Sequence, residues 1–119
     1  MKRVIIAEKS YAFGVRIVNL YNYLTRVKRE FHMSRQIQKS GTSIGANVAE
    51  AQRAQSTADF VAKMKIAMKE ANETQYWLHL LRDTNYLTAR EHESMNADLT
   101  ELLKILTAIC KHYPQNNRQ

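Results

Sequence analysis

The sequence predicts an all-α protein of four helices joined by short turns. The 119 residues include three glycines and one proline, which are too few for the turns of a many-stranded sheet. Apolar residues also recur in steps of three and four along four successive segments, the spacing that places them on one face of a helix. We expect a single domain over residues 1–113 and a disordered tail over 114–119. The predicted helices cover about residues 5–30, 34–53, 57–84 and 89–112.

The first predicted helix carries one apolar stripe. Its residues stay on one face of the helix, towards a neighbouring helix, for nearly three heptads, and Ile6 extends the stripe towards the N-terminus. Its other members are Phe13, Ile17, Leu20, Leu24, Val27 and Phe31.

The second segment contains the stretch QKSGTSIGANVAE (residues 38–50), which has the composition of a phosphate-binding loop. Such a loop needs its glycines between a strand and a helix, and no strand precedes them here. Helical steps of three and four connect Ile37, Ser40, Ile44, Asn47 and Ala51. We therefore interpret the stretch as a helix whose two glycines, at positions 41 and 45, let a neighbouring helix approach closely.

The third and fourth helices have recognisable start signals. Ser56 precedes Asp59 and Thr88 precedes Glu91 by three residues, the hydroxyl-and-carboxylate pattern of a capping box. The third stripe is Phe60, Met64, Ala67, Ala71, Thr74, Leu78 and Leu81, widened by Ile66, Trp77 and Leu80. The fourth is Leu99, Leu102, Leu103, Leu106, Ile109 and Cys110.

The net charge of +7 comes entirely from the first third of the chain. Residues 1–39 hold nine Lys/Arg and two acids, whereas residues 40–119 hold nine of each. In an up-down-up-down bundle the first and third turns lie at the same end, so the basic residues near them gather there, partly countered by Asp83, Glu91 and Glu93. The residues expected to bind nucleic acid are Arg26, Lys28, Arg29, Arg35, Lys39, Arg82 and Arg90.

An alternative interpretation of these cations is a solvated surface that favours the C-terminus of the first helix. It accounts for Lys28 and Arg29 but not for Arg35, which begins the second helix, where a cation is unfavourable. A phosphate backbone binds a basic surface through counterion release, without sequence preference.

Paired polar residues on adjacent helices form a second candidate site. Asn47 with Glu50, and Glu70 with Glu73, are compatible with metal or acid–base chemistry. A di-iron bundle needs Glu-x-x-His pairs, however, and no glutamate here has a histidine three residues later. We interpret these groups as polar contacts that fix helix register. The predicted helix-packing or oligomer-interface residues are Ser40, Gly41, Ile44, Asn47, Glu50, Glu73 and Trp77.

No catalytic residue, metal or cofactor is predicted. The spacing of Arg26 and His32 is like that of an Arg/His pair in small helical ribonucleases, but a chance match in a basic chain explains it better. The lone Cys110 excludes an internal disulfide, and the opening apolar run is too short for a signal peptide. We therefore expect a cytoplasmic protein.

Several blocks of the chain resemble the bacterial family called four helix bundle protein. That family includes proteins encoded in intervening sequences of 23S ribosomal RNA genes. The blocks read EKSY (8–11), IVxLYxYL (17–24), SGTSIGAN (40–47), AQSxADF (54–60) and IAMKEAxETxYWL (66–78). The resemblance covers about residues 4–112. More distantly, the chain resembles the accessory protein of diversity-generating retroelements, which binds nucleic acid and a reverse transcriptase.

The resemblance implies an antiparallel bundle that assembles into a ring-like homopentamer, and it implies no known activity. Many relatives place a glycine just after the Asn-x-Ala-Glu motif or at the turn beyond it. Here Ala51 and Arg53 occupy those positions, so we expect the second turn to be entered differently. The sequence as a whole predicts a non-enzymatic oligomeric module that binds RNA or DNA. The alternative is a scaffold protein whose partner is another protein.

Overall fold

The computed structural model describes residues 1–113. Four helices, α1 Lys2–Arg26, α2 Met33–Ala51, α3 Thr57–Asp83 and α4 Ala89–His112, follow one another without a strand in this part of the chain. The all-α prediction is confirmed, and the stretch that looks like a phosphate loop is helical. The expected disorder of residues 114–119 falls outside the described residues.

The helices pack around a square. Within residues 1–113, α1 is adjacent to α2 and α4, and α3 is adjacent to the same two helices, whereas no Cα atoms of the diagonal pairs lie within 8 Å of each other. Arg16 of α1 lies 2.7 Å from Asp98 of α4, and the earlier Lys9 lies 3.2 Å from the later Glu101, so these helices run antiparallel. This is the predicted up-down-up-down bundle, 47 × 25 × 22 Å in extent.

One stripe from each helix forms the core. Ile17, Ile44, Leu78 and Leu99 are representative, since each is completely buried. Burying a side chain of this size stabilises the folded state by about 1.5–3 kcal/mol. The apolar spacing therefore identified the inward faces, with three exceptions: Val27, Phe31 and Ile66 are exposed.

The first two exceptions arise because α1 ends at Arg26, four residues before the predicted end. Arg29 has a φ of 58°, a left-handed conformation that an α-helix cannot accommodate. The chain then turns back, and the Glu30 N–H donates to the carbonyl oxygen of Leu24 at 2.9 Å. Val27 is consequently 65% exposed and Phe31 48% exposed. The prediction that they continue the buried stripe is wrong.

The start signals of the last two helices form caps. Thr88 and Glu91 make a complete capping box, with bonds of 3.1 Å and 2.8 Å. Ser56 Oγ accepts from the Asp59 N–H at 3.0 Å, but the Asp59 carboxylate accepts from the Gln55 N–H, 3.4 Å away, rather than from Ser56. The shorter aspartate therefore completes only half of the box.

The second turn is entered without a left-handed residue. Gln52, which ends α2, keeps right-handed angles (φ −63°, ψ −20°). The next two N–H groups, of Arg53 and Ala54, donate to Glu50 and Ala51 at 3.0 Å and 3.1 Å. Because every step stays right-handed, the non-glycine residues at positions 51 and 53 cause no strain.

The glycines of α2 allow α1 to lie unusually close. A Cβ at Gly41 would stand 2.7 Å from side-chain carbons of Ile17, and one at Gly45 would stand 3.1 Å from the carbonyl oxygen of Ser10. On the next face of α2, the buried Thr74 hydroxyl donates to Ser40 Oγ at 2.9 Å, which ties α3 to α2.

This geometry predicts opposite effects of one substitution at two helical glycines. Gly41→Ala should lower the free energy of unfolding, because about 1–3 kcal/mol of overpacking against Ile17 exceeds the roughly 1 kcal/mol gained in helix propensity. Gly41→Leu should cost more. Gly14→Ala is the matched control: apart from its chain neighbours and the backbone of its own helix, no atom lies within 4 Å of its added Cβ, so it should stabilise by about 0.5–1 kcal/mol. Urea denaturation measures all three, and equal stabilisation by both alanines would contradict the close approach.

Candidate nucleic-acid interface

The first turn (residues 27–32) and the third turn (84–88) lie at the same end of the bundle. Tyr23 from the end of α1 and Leu87 from the third turn line a common groove there. We call this the basic end, and it comprises Arg26, Lys28, Arg29, Arg35, Arg82 and Arg90. Lys39, the seventh residue predicted to bind nucleic acid, lies further along α2 and is exposed.

Most cations of the basic end have no carboxylate partner. Arg82 is the exception, since its Nε lies 2.8 Å from Asp83. The hydrogen bond from Arg82 holds the pKa of Asp83 below its usual range. Within residues 1–113, no carboxylate lies within 4.0 Å of the other five cationic groups. Their charge is therefore available to an external anion.

The carboxylate of the first turn faces inward. Glu30 is 7% exposed, and it accepts from the backbone N–H groups of His32, Met33 and Ser34 at 3.1, 2.9 and 2.8 Å. The Ser34 hydroxyl donates to the Glu30 carbonyl oxygen at 2.8 Å. Glu30 thus caps α2, whose N-cap residue His32 makes no side-chain cap bond.

The same contacts determine the charge state of Glu30. Burial of this carboxyl raises its pKa. The hydrogen bonds from the backbone N–H groups of Met33, Ser34 and His32 together lower the pKa by a larger amount, so it ends below its ordinary value. The ionised carboxylate also compensates the positive N-terminus of α2, where Arg35 is otherwise unfavourable. The outer surface of the first turn is left with cations alone.

Arg29 occupies the strained position of the first turn. Its φ of 58° lies in the region that favours glycine, at a cost of about 1–2 kcal/mol for most other residues. Asn85 plays the corresponding role in the third turn with a φ of 70°, but asparagine tolerates this conformation. The guanidinium of Arg29 lies 5.2 Å from the ring centroid of Phe31. A long cationic side chain is therefore held where glycine would fit with less strain.

The opposite end of the bundle is also cationic. The fold divides the basic excess of residues 1–39, because Lys2 and Arg3 lie at the far end with the second turn and the end of α4, the segments that contain Arg53 and Lys111. Arg3 stacks on the Phe60 ring at 4.1 Å. The two ends therefore differ less in total charge than the sequence implies. They differ in that, within residues 1–113, the carboxylate turned inward beside an exposed aromatic ring is at the basic end.

The structure buries three of the residues predicted for helix packing or an oligomer interface. They are Ser40, Gly41 and Ile44, and they lie inside the bundle. Asn47 is half-buried and donates to the Ser43 carbonyl oxygen of its own helix at 2.8 Å.

The remaining three predicted residues lie nearer the surface. Glu50 is exposed, 3.9 Å from Lys63. The Trp77 indole donates to the exposed Glu73 at 3.1 Å. The oligomer-interface role stays a prediction for Asn47, Glu50, Glu73 and Trp77.

An apolar groove lies between α1 and α2 on the outside of the bundle. Its walls include the exposed side chains of Tyr11, Val15 and Val18 on α1, and the small Gly45 and Ala46 of α2 form the other side. The volume is about 480 Å³. We call it the α1/α2 groove.

Comparison with known proteins places this geometry in a family. Residues 2–108 match the family model described as 23S rRNA-intervening sequence protein. The chain belongs to this family. A crystal structure from Bacteroides thetaiotaomicron VPI-5482, described as a protein with unknown function from the S23 ribosomal protein family, is 56% identical and superposes with a TM-score of 0.92. The match covers 93% of this chain and 99% of that one. No functionally curated protein matches the chain at a significant level.

This member of the 23S rRNA-intervening sequence family has a histidine pair that its sequence did not indicate. His79 Nδ1 and His92 Nε2 lie 2.9 Å apart across α3 and α4, close to the third turn. One ring must donate and the other accept, so the contact needs at least one of these nitrogens to lack a proton. Burial of His92, which is 6% exposed, lowers its pKa, as do the neighbouring Arg82 and His79; Asp83 and Glu93 oppose the shift.

Other reactive groups are sparse in the described part of the chain. No three or more His, Cys, Asp or Glu side chains there form a group that could hold a metal ion. Burial raises the pKa of the Cys110 thiol, although Lys65 partly opposes it, so little nucleophilic thiolate forms at neutral pH. Among residues 1–113 no helix has the length and apolarity needed to span a membrane.

The histidine pair predicts a loss of stability in mild acid. Because the folded-state pKa of His92 is lowered, the unfolded chain binds more protons as the pH falls below about 6.5, and the free energy of unfolding decreases. The slope cannot exceed about 1.4 kcal/mol per pH unit for one proton. Urea denaturation between pH 7.5 and pH 5 should show a shallower slope for His92→Gln. His32→Gln, at an exposed histidine, should keep the wild-type slope, and equal slopes in all three proteins would contradict the pair.

Proposed function

We propose that this family member is a non-enzymatic, oligomeric module that binds the phosphate backbone of RNA or DNA through its basic end. The observation that carries the proposal is the first turn, where Glu30 is turned inward and the cations around it have no carboxylate partner. We expect it to act in the cytoplasm, where the lone thiol stays reduced.

Such a surface suits a polyanion better than a small anion. Arg26, Lys28 and Arg29 lie within four consecutive residues, and Arg35 follows at the start of α2. Each can neutralise one phosphate and release its condensed counterion, and affinity then falls steeply as salt rises. Phosphate contacts position a ligand without reading its sequence. We therefore expect binding to unrelated RNA and DNA sequences.

Charge reversal at the basic end should weaken this binding. Arg29→Glu with Arg35→Glu should lower affinity for unrelated RNA and DNA alike. It should also reduce the slope of log affinity against log salt by about one unit per lost phosphate contact. The matched control is Arg53→Glu with Lys111→Glu, which changes the net charge equally at the opposite end. Fluorescence anisotropy from about 50 mM salt upwards measures both, a range in which the electrostatic contribution is strong.

Two results would count against the proposal. Absence of wild-type binding near 50 mM salt would end it, and equal losses from both variant pairs would assign the effect to net charge. Arg29→Gly separates charge from folding, because glycine relieves the left-handed strain while removing the cation. It should bind more weakly while being at least as stable as wild type, and Asn85→Gly in the third turn should leave binding unchanged.

The oligomeric part of the proposal is supported by the α1/α2 groove. Exposed side chains such as Val15 and Val18 border a groove of about 480 Å³, and association is a common way to cover such a surface. The resemblance of the sequence blocks suggests five subunits.

Disruption of the groove should reduce the mass in solution. Light scattering at micromolar concentration should report several times the monomer mass for wild type, and a smaller mass for Val15→Lys with Val18→Lys, since two charges would be buried. The control is Val27→Lys, at an exposed valine outside the groove, which should keep the wild-type mass. A monomeric wild-type protein would remove the oligomer from the proposal.

The second candidate function is a scaffold whose partner is another protein. The observation in its favour is exposed apolar surface, since Ile66 and Tyr76 on α3 add to the valines of the α1/α2 groove. Salt distinguishes the two functions, because phosphate binding weakens steeply as salt rises and a hydrophobic contact does not.

A further inference from the structure

We propose that Phe31 stacks an unpaired base, so that the basic end prefers single-stranded RNA or DNA to a duplex. This inference rests on the proposed function and adds the class of nucleic acid.

The backbone of the first turn holds Phe31 outward. It follows Glu30, whose carboxylate is fixed by three N–H groups of the next residues, and Arg29, whose left-handed conformation reverses the chain. Phe31 is 48% exposed and is not part of the core. A large apolar ring is therefore presented on a turn with a fixed conformation, although burial is the usual fate of a phenylalanine.

The surroundings of the ring match a nucleotide. Bases stack on aromatic faces whatever their sequence, and a neighbouring guanidinium adds a cation–π contact. The Arg29 guanidinium, 5.2 Å from the ring centroid, provides that contact. Arg26, Lys28 and Arg35 are close along the chain and can neutralise the flanking phosphates. In a duplex both faces of a base are already stacked, so only an unpaired base can use the ring.

The other exposed aromatic side chains do not have this combination. In the described chain a guanidinium lies over two rings, those of Phe31 and Phe60, and Phe60 is buried. Tyr11 lies in the α1/α2 groove, and Tyr76 packs edge-on against Trp77 at 5.1 Å on α3. Phe31 is thus the exposed aromatic ring of this part of the chain that has a guanidinium over it.

The experiment compares ring removal on two ligands. Full-length wild type, Phe31→Leu and Tyr76→Leu are titrated with a labelled 12-nucleotide single strand and with a duplex of the same length, at one salt concentration. Loss of one stacked base lowers affinity by about 5- to 150-fold. We expect Phe31→Leu to lose this much on the single strand, with duplex affinity and the salt slope unchanged. Tyr76→Leu, the matched exposed aromatic, should behave as wild type on both ligands.

A spectroscopic variant tests stacking directly. Phe31→Trp should keep the wild-type affinity. The single strand should quench its fluorescence more strongly than that of wild type, in which Trp77 is the only tryptophan. An equal loss of single-strand and duplex affinity in Phe31→Leu would show that the ring only positions Arg29, and would overturn the inference. Wild-type affinity of Phe31→Leu for both ligands would also overturn the inference. A lower oligomeric mass of Phe31→Leu would overturn it as well, because Phe31 would then be a subunit contact.

These results separate the inference from the function on which it rests. If wild type binds both ligands and Phe31→Leu does not discriminate between them, the inference fails and backbone binding stands. If wild type binds neither ligand near 50 mM salt, the proposed function fails and the inference with it.

Discussion

The basic end depends on one contact, between the Glu30 carboxylate and three backbone N–H groups at the start of α2. Without it, α2 would begin with orphan donors and no side-chain cap. The contact also removes the single negative charge of the first turn from its surface and fixes the reversal at Arg29. The Glu30 carboxylate therefore both caps α2 and leaves the surface of the first turn cationic. A structural requirement of α2 produces a turn whose outer face carries cations and an exposed ring.

A second constraint is the close approach of α1 and α2. A Cβ at Gly41 would overlap the Ile17 side chain, and one at Gly45 would crowd the Ser10 carbonyl oxygen. Small residues on the inward face of α2 are used within the subunit. The valines and tyrosine of the outer α1/α2 groove have no partner in the described chain. Gly45 belongs both to this close approach and to the wall of the α1/α2 groove, so the two features share one helix pair.

Membership of the 23S rRNA-intervening sequence family accounts for the fold and leaves the activity open. The 56% identical structure is itself described as a protein with unknown function, so the case for nucleic acid depends on the chemistry of the basic end. Polar contacts tie both of its turns: the Glu30 cap fixes the first, and the His79–His92 contact joins the helices on either side of the third. A fixed surface loses less entropy on binding than a mobile one, which favours a docking role.

The sequence by itself determined the features that depend on local physics. Helical spacing identified four helices and most of their inward faces, and the Thr88–Glu91 pattern gave the start of α4, because both are set by residues within a few positions of one another. It failed at Phe31, where the apolar steps continue although the helix has ended. The stop depends on the left-handed conformation of Arg29 and on the carboxylate of Glu30, which spacing does not encode. Charge can be counted from a sequence, but only the tertiary structure decided that His79 meets His92, because α3 and α4 must pack together before the two rings can meet.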